Sequence, residues 1–443
     1  MMESLIGALG GTAWTVVFFI IGLSVIVFVH EYGHYVVGRW SGIRSEVFSI
    51  GFGPVLFSRT DKRGTRWQVA AIPFGGYVKF LGDADASSVR AGDISGLSAD
   101  ERRHTMTGAP LWARSATVAA GPVANFLLTF VLLAGLLLAV GVPREEPSVG
   151  SMRDFPFDGP TLVEGDVILA VDGQLTPDWT SFGTVTDALQ GKTRLDYTVR
   201  RGTDELVVSG PHPQAAVIGE IQIRSAAMDA GLQEGDVILQ AAGREVRYFA
   251  ELPDIVAESK GQPVPLVVWR DGRSFEIAIT PRIRTVDDGN GGFTERYLIG
   301  LYSGMFFEPA VRNVGLWEAA TNAGQNMWMM TTVTFSGMWH MIQGVISSCN
   351  LSGAIGMAET MGDAARNGAE SFVSMLAVLS LGVGILNLFP IPVLDGGHLV
   401  FHAYEAVTRR APSERALRVL MTVGLTLVLT IMVFGLSRDL LCV

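Results

Sequence analysis

The sequence has 443 residues, of which 49% are hydrophobic, and 33 Lys and Arg stand against 43 Asp and Glu for a formal net charge of −10. A mean hydropathy of +0.35 is too apolar for an ordinary soluble chain, so a membrane protein with soluble parts is expected. The acidic balance excludes a nucleic-acid binder, and two cysteines, Cys349 and Cys442, cannot build a disulfide framework and read as packing residues.

The first apolar run, residues 13–37, ends in "HEYGH". It lacks a basic leading region and a small-residue cleavage site, so it reads as a membrane span (1–37) and not a removable signal peptide. His30 and His34, four apart on a helix, project from one face as two ligands of one metal must, and Glu31 between them is placed to act as general base on a metal-activated water. The extended metzincin pattern would need Gly at 37 and His at 40, where this chain has Val37 and Trp40.

Residues 38–112 form a polar loop, with "RWQVAAIPFGGYVKF" (66–80) alternating apolar and polar residues around Pro73 and Gly75-Gly76. A short hairpin against the membrane surface is predicted there. The second span is placed at 113–142; Asn125, just after Gly121-Pro122, reads as polar glue or a cap where proline removes a helix bond.

The segment 143–283 contains an internal repeat: "EGDVIL" occurs at 164–169 and at 234–239, and the same offset sets Arg200-Arg201-Gly202 against Arg270-Asp271-Gly272. Tandem modules are predicted at 143–213 and 214–283. Residues 284–368 read as a linker with interfacial amphipathic helices, because Trp317, Trp328 and Trp339 are interrupted by Gln325, Asn326, His340 and Gln343.

A third span is placed at 369–408, with its apolar run at 371–388, and a fourth at 415–437, with its apolar run at 419–436. Lys and Arg between the first two spans (Arg39, Lys62, Lys79, Arg90, Arg114 among them) and between the last two (Arg409, Arg410, Arg415, Arg418) put both loops in the cytoplasm. The first and third spans then run in the same direction. His30, His34 and Asp395 of "NLFPIPVLDGGH" (387–398) come to one depth, where a carboxylate would cost about 2.5 to 3.5 kcal/mol unless a partner such as a cation held it. His398 and His402 read as caps or solvent-facing groups. Asn387 is a candidate donor to a substrate carbonyl or its developing oxyanion, or else a group satisfying backbone freed by Pro390 and Pro392.

His30-Glu31-x-x-His34, "GFGP" (51–54), "IPFGGYVKF" (72–80), "AAGPVANF" (119–126), "LSGAIGMA" (351–358) and "NLFPIPVLDGG" (387–397) together resemble the site-2 protease family of intramembrane metalloproteases over nearly the whole chain. The modules at 143–283 resemble PDZ domains, which bind extended peptides at a sheet edge. The resemblance implies a polytopic α-helical membrane protein with four spans, a membrane-associated β-hairpin region and two tandem PDZ-like α+β domains. It implies Zn2+ held by His30, His34 and Asp395, Glu31 as base, and Asn387 positioning substrate backbone. It also implies cleavage inside the transmembrane segment of a single-pass protein, such as an anti-sigma factor already cut outside, or of signal-peptide remnants, in the bacterial inner membrane among its lipids. The hairpin at Gly75 and Gly76 would accept the unwound substrate as an added strand. The chain departs from the family pattern at Ala354, where Pro is common, and in the first module, which lacks "GL" before Glu164-Gly165-Asp166. A PDZ-bearing scaffold without activity and a membrane metal transporter are the alternative classes; the intact metal triad argues against the first, and the absence of charge from 419 to 436 in the last span argues against the second.

Overall fold

A computed structural model of the protein describes residues 2–83, 96, 98–156, 161–222, 224–287, 293–346 and 352–441; Arg90, Cys349, Leu351 and Cys442 lie outside them. The chain begins with α1 (Met2–Trp40), β1 (Ser45–Thr60), β2 (Arg66–Phe80), α2 (Ala99–Arg103) and α3 (Leu111–Val140). It continues through β3 (Val142–Pro143), β4 (Val149–Met152), β5 (Val167–Val171), β6 (Gln174–Leu175), α4 (Trp179–Ala188), β7 (Arg194–Arg201) and β8 (Asp204–Pro211). Next come β9 (Ile218–Ile221), α5 (Ala226–Asp229), β10 (Val237–Ala241), β11 (Arg244–Glu245), α6 (Leu252–Glu258), β12 (Val264–Arg270) and β13 (Arg273–Ile279). Then follow β14 (Arg282–Asp287), β15 (Phe293–Leu298), β16 (Leu301–Ser303), β17 (Phe307–Pro309) and β18 (Val311–Arg312). The chain closes with α7 (Leu316–Ile342), α8 (Ala354–Arg366), α9 (Ala369–Asn387), α10 (Asp395–Thr408) and α11 (Glu414–Leu441). It divides into two compact units: Met1–Leu136 with Trp317–Trp339 and Leu351–Val443, and Leu137–Leu316 with His340–Asn350.

In the first unit, four helices among the described residues are long and apolar enough to cross a membrane: Gly11–Trp40, Leu111–Val140, Ala369–Asn387 and Glu414–Leu441. With the β-rich remainder they make a polytopic membrane protein. The span expected at 369–408 is two helices. Pro390 and Pro392 offer no amide donors, so α9 stops at Asn387 and α10 restarts at Asp395 after a short turn. Gly396 and Gly397 make that turn possible, because a Cβ on them would meet the Leu388 and Ile391 carbonyls at 2.3 and 2.2 Å.

Strands β1 and β2 bend so far that residues 47–50 pair on both sides, with 66–69 and with 76–79, while 55–60 pair with 66–70. Two strands thus make a four-ribbon sheet, more than the predicted hairpin. Phe52, Val55, Leu56 and Phe57 on its far arm are exposed, the surface expected of a segment in contact with lipid.

The stretch expected as linker is structured. In its last part, α8 lies on α1, with Met361 against Gly22 and Gly362 against Thr15. The Asp439 carboxylate of α11 accepts from the amides of Gly353, Ile355 and Gly356 at 2.9, 3.1 and 3.0 Å, satisfying donors that a helix start leaves open. Those amides flank Ala354, so a proline there would cost none of them. In α7, Trp317, Trp328 and Trp339 recur every eleven residues and are all exposed, which puts them on one helical stripe.

The second unit contains both copies of the sequence repeat. Its two four-stranded sheets have the same order, β6-β5-β7-β8 and β11-β10-β12-β13. In each, the Asp of "EGD" takes a two-pronged Arg: Asp166 from Arg201 and Asp236 from Arg270. Arg270 therefore corresponds to Arg201 and not to Arg200, so the repeat loses one residue between its halves. After β15 the chain returns to earlier strands: β16 pairs with β9 and β17 with β4, and β18 then pairs with β3.

His212 lies buried in this unit, its Nε2 3.0 Å from the Thr186 carbonyl and its Nδ1 accepting from the Gln214 amide. The Gln214 amide needs a lone pair on Nδ1, which only the neutral ring offers, and burial pushes its pKa below the usual value. Because the unfolded His212 protonates first, stability is fully present above about pH 6.5 and falls as pH drops through that value. Thermal unfolding of the purified chain should show this slope between about pH 7 and 5, and His212→Gln should flatten it; an unchanged slope would remove His212 as the cause.

Candidate metal centre

Helix α1 delivers His30, Glu31 and His34 from one and a bit turns of its inner face, and α10 delivers Asp395 as its first residue. A carboxylate at a helix N-terminus sits where the backbone dipole favours negative charge. The His30 and His34 Nε2 atoms are 3.2 Å apart, and the Asp395 Oδ2 is 3.2 Å from the first and 3.5 Å from the second. Among the described residues, this is the group of His, Cys, Asp or Glu whose donor atoms converge as metal ligands do.

The other ring nitrogens decide what the convergence means. His34 Nδ1 is 2.8 Å from the Thr117 carbonyl, which can only accept, so that nitrogen carries the proton and Nε2 presents a lone pair. The Asn125 amide lies 3.2 Å from His30 Nδ1, while Asn125 Oδ1 is buried without a partner. Turning the amide over gives Oδ1 the His30 Nδ1–H and leaves His30 Nε2 as a second lone pair. Two lone pairs and a buried carboxylate oxygen, Asp395 Oδ2, which itself has no hydrogen-bond donor, then face one another. Such an array repels itself unless a cation sits among its members. The spacing suits zinc, since ligands about 2.0 to 2.1 Å from a tetrahedral ion stand roughly 3.3 Å from each other.

Helix α3 holds this arrangement from behind. A Cβ on Gly121 would fall 2.3 Å from His34 Nε2 and 2.8 Å from His30 Cε1, and one on Gly33 would fall 2.4 Å from the Ala120 carbonyl. The two helices therefore meet backbone to backbone at the rings. Asn125, read from sequence as structural glue, is instead the residue that orients His30. Its carbonyl in turn accepts from Thr129 and from Ser380 of α9.

The β2 ribbon borders the general-base candidate. The Val78 backbone lies beside the Glu31 carboxylate, and a Cβ on Gly76 would lie 3.1 Å from Glu31 Cγ. Gly75 has φ 137° and packs under the Phe52 ring, a conformation and a gap that favour glycine. Asn387 is the last residue of α9 and half-buried; among the described residues no hydrogen bond joins it to the three donors. His398 and His402 follow on α10, the latter with Nδ1 3.2 Å from Ser115 Oγ.

The sequence profile of peptidase family M50 matches residues 18–431. The chain belongs to this family. The M50 assignment, the site-2 protease family, makes it an intramembrane zinc metalloprotease, and the scaffold and transporter alternatives fall away. Similar M50 proteins include the regulator of sigma-E protease of Salmonella typhimurium, 33% identical over 458 residues that cover 96% of this chain and 98% of the relative. The protease of the same name in Escherichia coli is 33% identical over 459 residues with the same coverage. A protein named as a zinc metalloprotease in Agrobacterium fabrum is 34% identical over 447 residues, 99% of this chain and 98% of its own.

Proposed function

We infer that the zinc of this M50 protease sits between His30, His34 and Asp395, and that the enzyme cuts a peptide bond within the membrane-spanning helix of a single-pass protein. The observation that carries the reading is the unpartnered Asp395 Oδ2 facing two imidazole lone pairs at the end of a helix long enough to cross a bilayer.

Bound there, zinc supplies Lewis acidity to a scissile carbonyl and to water near neutral pH. Glu31 takes the proton of the attacking water on its carboxylate and later gives it to the leaving amine nitrogen. A helical substrate hides its carbonyls in its own hydrogen bonds, so it must unwind before Glu31 can act. The 75–78 ribbon is suited to receive it. It lies against Glu31 and pairs with 47–50 along one side, so it is the outer ribbon of the sheet, where a strand could add. Asn387 would donate to the carbonyl being attacked.

Exposed Trp40 and Trp112, at the ends of α1 and α3, fit an aromatic belt on the side rich in Lys and Arg. They support a bacterial inner-membrane placement with the site toward the cytoplasm and the repeat modules in the periplasm. The modules, read as PDZ-like, would screen substrates by the size of the part outside the membrane. An anti-sigma factor trimmed by a first protease and a signal-peptide remnant are the substrates that fit, as the sigma-E name of the relatives suggests.

The test uses purified protein in lipid with two reporters that share one transmembrane helix, one with a short outer stub and one with a folded outer domain. The stub reporter should be cut within its helix, the other left intact, and a chelator should stop cleavage until zinc is restored. Cleavage that survives the chelator ends the metal reading; equal cutting of both reporters ends the screening one.

A further inference from the structure

The α3 face that touches both histidine rings extends one turn further toward its N-terminus. Arg114, Thr117, Gly121, Asn125 and Thr129 lie three or four residues apart, so they form one stripe down the helix. Thr117 and Asn125 hold the His34 and His30 rings. At the head of the stripe the Arg114 guanidinium grips Glu405 of α10 with two prongs, Nη1 to Oε2 at 3.1 Å and Nη2 to Oε1 at 2.6 Å, in partly buried surroundings. Ser115 beside it meets His402, one turn earlier on α10. One helix therefore touches the element behind every donor of the centre: α1 through the two rings, and α10 through its far end.

We propose that the Arg114–Glu405 pair is a positioning device for the metal, fixing the direction of α10 and so the place of the Asp395 carboxylate. Helix α10 starts at Asp395 and rests through Gly396 and Gly397 on the backbone of 388–392, so a shift of its far end pivots about that contact. Glu405 stands ten residues beyond Asp395, roughly 15 Å along the axis. If the far end swings by about 2 Å, the helix tilts by roughly 8°, and a carboxylate oxygen some 4 Å from the axis moves by about 0.5 Å. Ligand distances in metal sites hold to about 0.2 Å, so that movement is enough to weaken binding. An Arg fork suits the task better than a point charge because two parallel bonds fix orientation as well as distance. Like the orienting partners of ligands in other metal sites, the pair should act on affinity.

The inference rests on placing zinc at His30, His34 and Asp395. It is tested on the full chain in detergent by chelator competition for zinc, with Arg114→Gln, Glu405→Gln, the double variant and the milder Arg114→Lys. Each Gln variant should bind zinc about tenfold more weakly, Arg114→Lys should fall between these and the parent, and the double should be no weaker than either single, because the two side chains form one device. At saturating zinc the variants should unfold at the parent's temperature. Parent-like affinity in all variants, or losses that multiply in the double, overturns the positioning role. Failure of the parent chain itself to bind zinc overturns the underlying site assignment instead.

Discussion

Glu31→Gln is expected to keep its zinc and lose its protease activity. The side chain keeps its length and its place beside Val78 and Gly76. None of the three converging donors is touched, so metal content should match the parent. What disappears is the carboxylate that takes a proton from water and returns it to the amine. A positioned base of this kind is worth about 100- to 10,000-fold, so cleavage of a transmembrane reporter should fall at least a hundredfold. Asp395→Ala should behave oppositely at the metal. It removes one donor and leaves the two Nε2 lone pairs, 3.2 Å apart, with no carboxylate to complete the site, so zinc should be lost along with cleavage. Elemental analysis separates the two outcomes. A Glu31→Gln protein that still cuts would take Glu31 out of the chemistry, and a fully loaded Asp395→Ala protein would require another third ligand.

The pattern of what the sequence disclosed follows the range of the interactions involved. His30, Glu31 and His34 are readable because their geometry is set by one helical turn. Asp395 is readable because a carboxylate next to a Pro-broken apolar run needs an explanation that only a partner provides. The repeat is readable through "EGDVIL", since the buried Asp of that motif must meet an Arg in each copy. The single-residue shift between copies is not, because it changes only which of Arg200 and Arg201 faces Asp166. Strands β16, β17 and β18 are two or three residues long and pair with partners far back in the chain, so neither alternation nor turn signals mark them. Asn125 is the instructive case at the site. A lone Asn in an apolar span looks the same whether it binds backbone or an imidazole, and only the approach of α1 tells the two apart. The same holds for Gly121, whose need for hydrogen in place of a side chain arises from another helix altogether.

That need can be turned into the sharpest steric test of the centre. Gly121→Ala adds one methyl group that would sit 2.3 Å from His34 Nε2 and 2.5 Å from its Cε1, well inside the roughly 3.5 to 4.0 Å at which carbon atoms rest in contact. The helix cannot back away cheaply, because Gly33 lies against the Ala120 carbonyl and the Ala124 methyl to either side of Gly121, and Thr117 and Asn125 tether both rings to α3. The rings must therefore rotate off their Nδ1 partners, and the nitrogen that moves furthest is the one aimed at the metal. Overpacking of this size costs about 1 to 3 kcal/mol, which a bundle of long apolar helices can absorb, so the protein should still insert and fold. Disturbing the hold on ligating imidazoles costs about 10- to 100-fold in metal affinity, and here both rings are struck, so the upper end is expected together with near-complete loss of cleavage. Gly135→Ala on the same helix is the control: nothing lies within 4 Å of its Cβ position, so zinc content and cleavage should match the parent. A Gly121→Ala protein that holds zinc and cuts its reporter at the parent's rate would mean that α1 and α3 do not meet at these rings.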